Sequence, residues 1–294
     1  MTAYFYLLFG MCASASLSIM STLFNRTNAE CKNLSLFYNL LVTFSAFCTW
    51  TFVFCFRPAF DVRVIGYALA YAIFYIMALT GLFKALEHGS VALTSFVKQL
   101  SLIGVSIWGL LFWNSPFSTV VGLGLLVMII ALYFCFGYGQ NRAEEKNGSF
   151  GKWLFFALML LVGNAGCSIV QKYQQIACNG EYGNALMVCG TGISSLLCLI
   201  LFATGKKKGD IKKISPKTLI FPVLAGCSSA ILNLFILLLM SSALSISVIF
   251  VSIAVGGILL TTLFSVCIYH ERLRKIQWLG LALGIIAVAL LNIG

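Results

Sequence analysis

One lysine stands inside a long apolar run of the sequence. Lys98 lies roughly eight residues into a predicted helix, or about 12 Å along its axis. An ammonium at membrane depth costs at least about 2.5 kcal/mol on insertion scales, so such a group commonly faces a cavity or a partner. This placement indicates a cation that binds a carboxylate or phosphate, with Gln99 beside it. The alternative is a lysine whose side chain snorkels to the nearer membrane interface.

The acidic residues are distributed differently from this lysine. All 8 lie in predicted loops or at predicted helix ends: Glu30, Asp61, Glu87, Glu144, Glu145, Glu181, Asp210 and Glu271. The predicted spans therefore contain no carboxylate that could exchange protons against a cationic drug. Lys98 also has no internal counter-ion, so either a substrate anion supplies one or the lysine is neutral.

Two tyrosines of the third apolar run form a second candidate group. Tyr71 and Tyr75 share a helical face with Tyr67, because residues four apart lie one above the other. Such an aromatic wall can stack on a substrate ring or hold a quaternary amine. Packing between helices is the alternative, as is an interfacial position for Tyr67.

Amides and hydroxyls in later runs form a third group. Asn164 and Ser168 share one helical face with Gln171, and Asn233 is a further deep amide. These groups are predicted either to contact a substrate or to hydrogen-bond between helices, which is their common use in lipid.

Composition explains why these groups require membrane-spanning helices. Of 294 residues, 61% are hydrophobic and 9% are charged, against roughly 25% charged in a soluble domain. A soluble globular domain and a disordered chain are thereby excluded. The net charge of +11 indicates Lys and Arg in cytoplasmic loops rather than nucleic-acid binding. The apolar runs are unbroken, which argues against a transmembrane β-barrel.

The sequence predicts an all-α integral membrane protein with ten transmembrane helices. A membrane span needs about 20 mostly apolar residues. The ten predicted spans are residues 3–24, 34–56, 64–84, 90–113, 117–138, 152–172, 183–204, 218–241, 245–269 and 275–293.

The ten spans divide into two five-helix repeats, residues 1–138 and 152–294, joined by a loop at 139–151. Segments 122–132 and 280–290 both begin Gly-Leu and both contain Ile-Ile-Ala. Because five is an odd number, the second repeat enters the membrane in the opposite sense. An inverted repeat of this kind predicts a substrate site near the midplane, between the halves.

Two glycines align with the lysine when the repeats are superimposed. Gly256 and Gly257 then stand at the positions of Lys98 and Gln99. They are predicted to let a ligand approach the backbone closely, or else to pack or bend the ninth helix.

Charge also predicts the topology. Most of the 19 Lys and Arg residues flank the loops that follow odd-numbered helices. The positive-inside rule places those loops in the cytoplasm and both termini outside. We expect the membrane to be the plasma membrane.

The segment 269–280, Tyr-His-Glu-Arg-Leu-Arg-Lys-Ile-Gln-Trp-Leu-Gly, precedes a Gly/Ala-rich final helix. It resembles the end of an EamA-type repeat of the drug/metabolite transporter superfamily. The motif is degraded in the first half, where Trp113 and Asn114 stand near the Glu position. The family tends to carry a proline midway along helices 4 and 9, where this chain has none. The resemblance implies alternating-access transport through a cavity lined by helices 1–4 and 6–9. Some relatives keep both termini in the cytoplasm.

Together these features predict a secondary active transporter, not an enzyme. Its predicted substrate is a small polar or anionic organic metabolite: amino-acid-like, nucleobase-like or an organic acid. The bilayer and a coupling ion or exchange substrate are the other predicted partners. No cofactor, metal or nucleic acid is predicted, because no catalytic or metal-binding motif is found. The alternatives are a quaternary-amine transporter, a lipid-linked-sugar flippase and a membrane interaction protein without transport.

Overall fold

The structure is a computed structural model that describes residues 2–28, 31, 34–112, 119–136, 149–204, 214–240, 246–269 and 275–293. These residues form ten α-helices and one 3-10 turn, with no strand among them. The helices are α1 (Thr2–Thr27), α2 (Ser35–Phe56), α3 (Val64–His88), α4 (Val91–Phe112), α5 (Thr119–Phe136), α6 (Ser149–Ala177), α7 (Gly183–Thr204), α8 (Ile220–Met240), α9 (Ile246–Tyr269) and α10 (Lys275–Ile293). The predicted all-α class is confirmed.

The helices follow the predicted spans closely, and the largest differences are that α3 and α6 are longer than predicted. α3 continues to His88 and α6 continues to Ala177, both beyond the last residue of the apolar run. α6 also begins at Ser149, inside the predicted connecting loop. Polar side chains end an apolar run without ending a helix, because helix propensity does not require apolar residues.

Six of the helices are long and apolar enough to cross a membrane, as judged on the described residues. They are α1, α2, α3, α6, α7 and the segment Pro216–Ile236, which includes the 3-10 turn before α8. This architecture fits a multi-pass helical membrane protein.

The distribution of side chains is also that of a membrane protein. Large apolar groups face outward: Phe56 is 72% exposed and Phe155 is 63% exposed. Hydroxyl groups such as those of Thr43 and Ser194 are fully buried. An apolar outer surface of this extent needs lipid rather than water around it.

The two predicted repeats do not form separate cores. The most extensive helix pairs are α3–α6, α5–α10, α1–α8 and α2–α7, followed by α2–α8, α1–α9, α3–α7, α4–α6 and α4–α9. Every one of these pairs joins a helix before the connecting loop to a helix after it. The halves therefore interleave and bury their apolar faces against each other.

Side-chain contacts show the relative direction of two helix pairs. Ser228 of α8 bonds Ser16 in the middle of α1, and Thr218 just before α8 lies next to Asn28 just after α1. α1 and α8 are therefore antiparallel. α4 and α6 are parallel, because their first turns meet at Thr94–Trp153 and their later turns meet at Trp108–Tyr173.

Several helix termini gather at one end of the bundle. Asn25 near the end of α1 donates to the Phe83 carbonyl near the end of α3, at 2.9 Å. At the same end Trp153 in α6 donates to Thr94 in α4, at 3.0 Å. We call this the basic end, since Arg26 of α1, Lys84 of α3 and Lys152 of α6 lie there. The opposite end is called the far end.

Two glycines bring the α3 and α6 backbones into direct contact. A Cβ atom added at Gly81 would lie 2.5 Å from the Leu160 nitrogen, and one at Gly163 would lie 2.5 Å from the Ala78 nitrogen. Real Cβ atoms do not approach backbone so closely. Small residues at helix crossings are typical of membrane bundles. Here they fix the separation of the two helices that contribute most polar groups to the site described next.

Candidate functional site

A cavity of about 150 Å³ lies between α1, α3, α4, α6, α8 and α9. A cavity of that volume in another protein holds a benzene molecule. Its polar lining residues are Ser14, Tyr71, Tyr75, Lys98, Ser101, Asn164, Cys167, Ser168, Gln171, Ser229 and Asn233. The structure thus brings six of the nine predicted site residues to one place: Lys98, Tyr71, Tyr75, Asn164, Ser168 and Asn233.

Lys98 lies inside the bundle rather than at its surface. Its side chain is only 8% exposed, and Nζ donates to the Ser14 carbonyl of α1 at 3.3 Å. A snorkelling side chain would instead place the ammonium on the outer surface. Lys98 is the one charged residue among the described residues that line the cavity.

Carboxylates stay away from this lysine throughout the described part of the chain. Ion pairs there join Arg63 with Asp61 and Lys84 with Glu87. The first pair lies just before α3, and the second lies in the last turns of α3. The Arg63 side chain, by hydrogen-bonding Asp61 at 2.7 Å, lowers the pKa of that carboxyl below its ordinary value of 3.8. No carboxylate of the described residues therefore lines the cavity beside this cation.

The two tyrosines form one wall of the cavity. The rings of Tyr71 and Tyr75 stack with centroids 5.6 Å apart and planes at 22°. The Tyr75 hydroxyl is 3.1 Å from the Ser229 hydroxyl of α8. The Tyr71 ring also packs against Gly190 of α7, where an added Cβ would lie 2.6 Å from Cδ1. The pair therefore combines cavity lining with helix packing, whereas Tyr67 is not part of the lining.

The amides differ in how far the protein already satisfies them. Asn233 donates to the Ser229 carbonyl at 2.8 Å, within its own helix. The side-chain amide of Asn164 makes no hydrogen bond to any group of the described residues, although it is half-buried. Since a buried amide normally finds a partner, Asn164 is the polar group best placed to bind a ligand.

Two predicted site residues, Gly256 and Gly257, are not brought into the cavity lining. Gly256 packs against Met11, where an added Cβ would lie 2.4 Å from Cγ. The Gly257 carbonyl accepts a hydrogen bond from Thr261 at 2.7 Å, within α9. Ile253, one turn earlier, lines the cavity instead. Gln99 belongs to α4, but its side chain lies outside the described residues, as do residues 270–274 of the family motif.

Sequence reasoning did not single out Ser14, Ser101, Cys167 or Ser229 as site residues. Small polar residues within apolar helices are a weak signal that could have suggested Ser101 and Ser229. The same signal applies to Ser14, but its contact with Lys98 is made by the backbone carbonyl, which no side-chain pattern predicts. Among the described residues no group of three metal-binding side chains occurs.

Comparison with known proteins adds the fold. No family model and no curated protein matches the sequence. By contrast, 27 chains of solved structures match. One of them, described only as "Crystal structure of protein", superimposes with a TM-score of 0.63 at 11% identity, covering 98% of this chain and 96% of its own. At that identity the likeness establishes a shared fold and nothing about function.

Proposed function

We propose that this protein is a secondary active transporter that moves a small organic anion across the plasma membrane by alternating access. The basic end would face the cytoplasm and both termini the outside. The observation that carries the proposal is the cavity itself: among its described lining residues a single buried cation, Lys98, has no carboxylate beside it and shares the cavity with the Asn164 amide. The EamA-type resemblance agrees with this proposal and stays a prediction.

Support for an inverted repeat comes from the pattern of helix packing. Each helix has a counterpart five places away in the other half. If every helix is replaced by its counterpart, the pair α1–α8 becomes α6–α3, α1–α9 becomes α6–α4, and α2–α8 becomes α7–α3, all of which are observed. The same operation leaves α2–α7, α4–α9 and α5–α10 in place. α1 and α3 end together at the basic end, and α3 is antiparallel to α6, so α1 and α6 run in opposite directions. Opposed, interleaved halves are the arrangement in which rocking exposes a central site alternately.

An aromatic layer supports access from one side at a time. Phe24, Tyr38 and Phe83 are at most 2% exposed and lie between the cavity and the basic end. Their ring centroids are 4.6 to 6.2 Å apart. Such a layer closes the cavity on its basic side between α1, α2 and α3, while the lining extends toward the far end.

The volume limits the substrate. Drug-sized ligands occupy pockets of roughly 300–1,000 Å³, whereas this cavity measures about 150 Å³. A ligand of about six non-hydrogen atoms fits, since benzene fills a cavity of that size. A lipid-linked sugar does not fit the cavity in this conformation.

The charge of the cavity favours an anionic substrate over a cationic one. An organic cation could stack on Tyr71 and Tyr75, but it would share a small cavity with the Lys98 ammonium. Like charges a few ångströms apart repel strongly in a poorly solvated site. An anion gains that same interaction as attraction. We therefore place the carboxylate of the substrate at Lys98 and its remainder against the tyrosines and Asn164.

Ligand-induced thermal stabilisation tests the proposal. Purified protein is heated with pyruvate, alanine, uracil, inorganic phosphate or choline, in parallel with Lys98→Met. A ligand at a hundredfold excess over its Kd stabilises by about 2.7 kcal/mol. We expect pyruvate or another anion to raise the melting temperature of the wild type and not of Lys98→Met.

The matched control is Lys172→Met, which removes an exposed lysine of α6 and should respond to anions as the wild type does. Stabilisation by choline alone, equal in wild type and Lys98→Met, would contradict the anion proposal and favour the quaternary-amine alternative.

A further inference from the structure

Three buried hydroxyl groups on α1, α4 and α9 have no hydrogen-bond partner among the described residues. Ser18 of α1, Ser95 of α4 and Thr262 of α9 are 1%, 3% and 4% exposed, and none of their side-chain oxygens hydrogen-bonds to a described residue. Other buried hydroxyls are satisfied, as when Ser194 donates to the Gly190 carbonyl at 2.7 Å. Buried polar groups that lack a protein partner commonly bind internal water.

Two of the hydroxyls lie one helical turn from the lysine on the same side. The Lys98 ammonium meets the Ser14 carbonyl. α1 and α4 are antiparallel, since α1 ends and α4 begins at the basic end. Moving one turn toward that end leads from Ser14 to Ser18 on α1 and from Lys98 to Ser95 on α4.

The third hydroxyl reaches the same level on α9. Gly10 contacts Ile253 and Met11 contacts Gly256, so α9 runs parallel to α1. About two turns further toward the basic end, Ser18 on α1 and Thr262 on α9 are level. α1, α4 and α9 pack against one another pairwise, which places the three hydroxyls around their junction.

This junction lies beyond the cavity on its basic side. Ser14 and Lys98 line the cavity, whereas Ser18, Ser95 and Thr262 do not. Lys98 therefore has the cavity on one side and the three hydroxyls on the other. Water held there would give its ammonium a second contact, directed toward the basic end.

Few titratable groups of the described residues lie close enough to Lys98 to accept its proton. The titratable groups facing the cavity are Tyr71 and Tyr75 from α3 and Cys167 from α6. The lining residues of α1, α8 and α9 carry no charge. α10 also packs on α4, and its titratable group among the described residues is the exposed Lys275 at its first position. α3 carries Lys84, Glu87 and His88 at its basic end. Without an anion the ammonium would thus be a buried, uncompensated charge, which is strongly unfavourable.

We propose that Ser18, Ser95 and Thr262 hold water that links Lys98 to the basic end, and that one proton crosses with each substrate anion. The inference rests on the proposed function. With the anion bound, Lys98 is an ammonium paired with it. When the anion leaves, one N–H bond breaks, the proton passes to the adjacent water and the electron pair stays on Nζ. The empty protein then carries a neutral amine, and each cycle moves one anion and one proton without net charge.

Proteoliposomes containing the pH dye pyranine test this coupling, with labelled pyruvate added outside. Lys98→Met liposomes measure passive entry. We expect the wild type to acidify the lumen by one proton per pyruvate. The combined variant Ser18→Ala, Ser95→Ala, Thr262→Val should still be stabilised by pyruvate. Its rate of proton-coupled pyruvate uptake should be lower by about tenfold or more. Ser194→Ala, an equally buried hydroxyl with a protein partner, should behave as the wild type.

Pyruvate uptake that carries current without acidification would overturn the coupling and leave the proposed function standing. Coupling retained at the wild-type rate in the combined variant would overturn the role of the hydroxyls. If no anion binds or enters the wild type, the proposed function fails and proton coupling fails with it. X-ray radiolytic labelling in heavy-oxygen water then tests the water site without any substrate. Equal labelling of the α1 and α4 peptides in the wild type and the combined variant would show that the three hydroxyls hold no water.

Discussion

The α3–α6 and α1–α8 crossings occupy equivalent places in the packing pattern but are closed by different chemistry. At α3–α6 the backbones touch, and a Cβ at Gly163 would lie 2.5 Å from the Ala78 nitrogen. At α1–α8 the Ser228 hydroxyl donates to the Ser16 hydroxyl at 3.0 Å. The same position in a bundle can therefore be set by backbone contact or by side chains.

This difference matters for the cavity, because both crossings contribute to its wall. Tyr75 and Asn164 come from the glycine crossing, and Ser14 and Asn233 come from the hydroxyl crossing. Backbone contact leaves no adjustable atoms, so it should hold Tyr75 and Asn164 rigidly. Side chains can change rotamer, so the α1–α8 crossing should tolerate substitution better.

The largest expected effect is at the glycine crossing. Gly163→Leu forces a side chain into the α3 backbone, and overpacking of that kind costs about 3 kcal/mol or more. We expect loss of folded, monodisperse protein in size-exclusion chromatography. Gly66→Ala in α3 is the matched control, because an added Cβ there meets nothing within 4 Å. A Gly163→Leu protein with wild-type melting behaviour would show that the crossing is not rigid.

A charge introduced at the same crossing should act on binding. Asn164→Asp supplies Lys98 with an internal carboxylate that competes with the substrate anion, so we expect anion affinity to fall about tenfold or more. Choline binding should improve in this variant. Titration by thermal shift measures both affinities, and Asn164→Ala separates loss of the amide from gain of charge. Equal losses in the two variants would mean that charge competition plays no part.

A smaller effect is expected at the hydroxyl crossing. Ser228→Ala removes the bond to Ser16, a contact worth about 0.5–1.5 kcal/mol, and leaves the helix spacing intact. We expect the melting temperature to drop by a few degrees. The control is Ile231→Ala, which shortens an exposed side chain of the same helix and leaves the hydroxyl pair in place. A loss as severe as that of Gly163→Leu would erase the distinction between the crossings.

The smallest effect concerns the loop between α2 and α3, away from both crossings. Arg63 lowers the folded-state pKa of Asp61. The pair therefore stabilises the folded protein above the unfolded pKa, and this contribution disappears as pH falls through the folded pKa. Because the pair is exposed, we expect Asp61→Asn to melt only slightly below the wild type at pH 7. The gap between the two melting curves should narrow as the pH falls below the ordinary pKa of 3.8; a gap that widens on acidification would contradict this sign.

The fold was predictable from the sequence where hydropathy alone decides. The apolar run 183–204 coincides with α7, because lipid forces every spanning segment to satisfy its backbone within a helix. The end of α6 was not predictable in this way. Gln174 is polar and closes no apolar run, yet it is fully buried and donates to the Glu181 carbonyl at 2.7 Å. A hydrogen bond to the turn that follows the helix, not hydropathy, accounts for the burial of this polar residue.

The candidate site was predictable only residue by residue. Lys98 stands out because a charge in an apolar run is costly, and Asn164 stands out as a deep amide. Their shared cavity was an expectation of the repeat, not of any local pattern. Gly256 could not be assigned from sequence, since a glycine that admits a ligand and a glycine that admits Met11 look identical.

The sequence by itself determined the solvent, the helices and the isolated cation, because each follows from the cost of placing polar or charged groups in lipid. Tertiary structure alone decided which faces meet. Helical periodicity assigns Asn164 to a face but does not name the helix opposite. In lipid, shape and hydrogen bonding choose that neighbour, because apolar surfaces gain little by leaving the lipid for each other. The contact between the Lys98 ammonium and the Ser14 carbonyl is of this kind, since a backbone atom leaves no trace in the sequence.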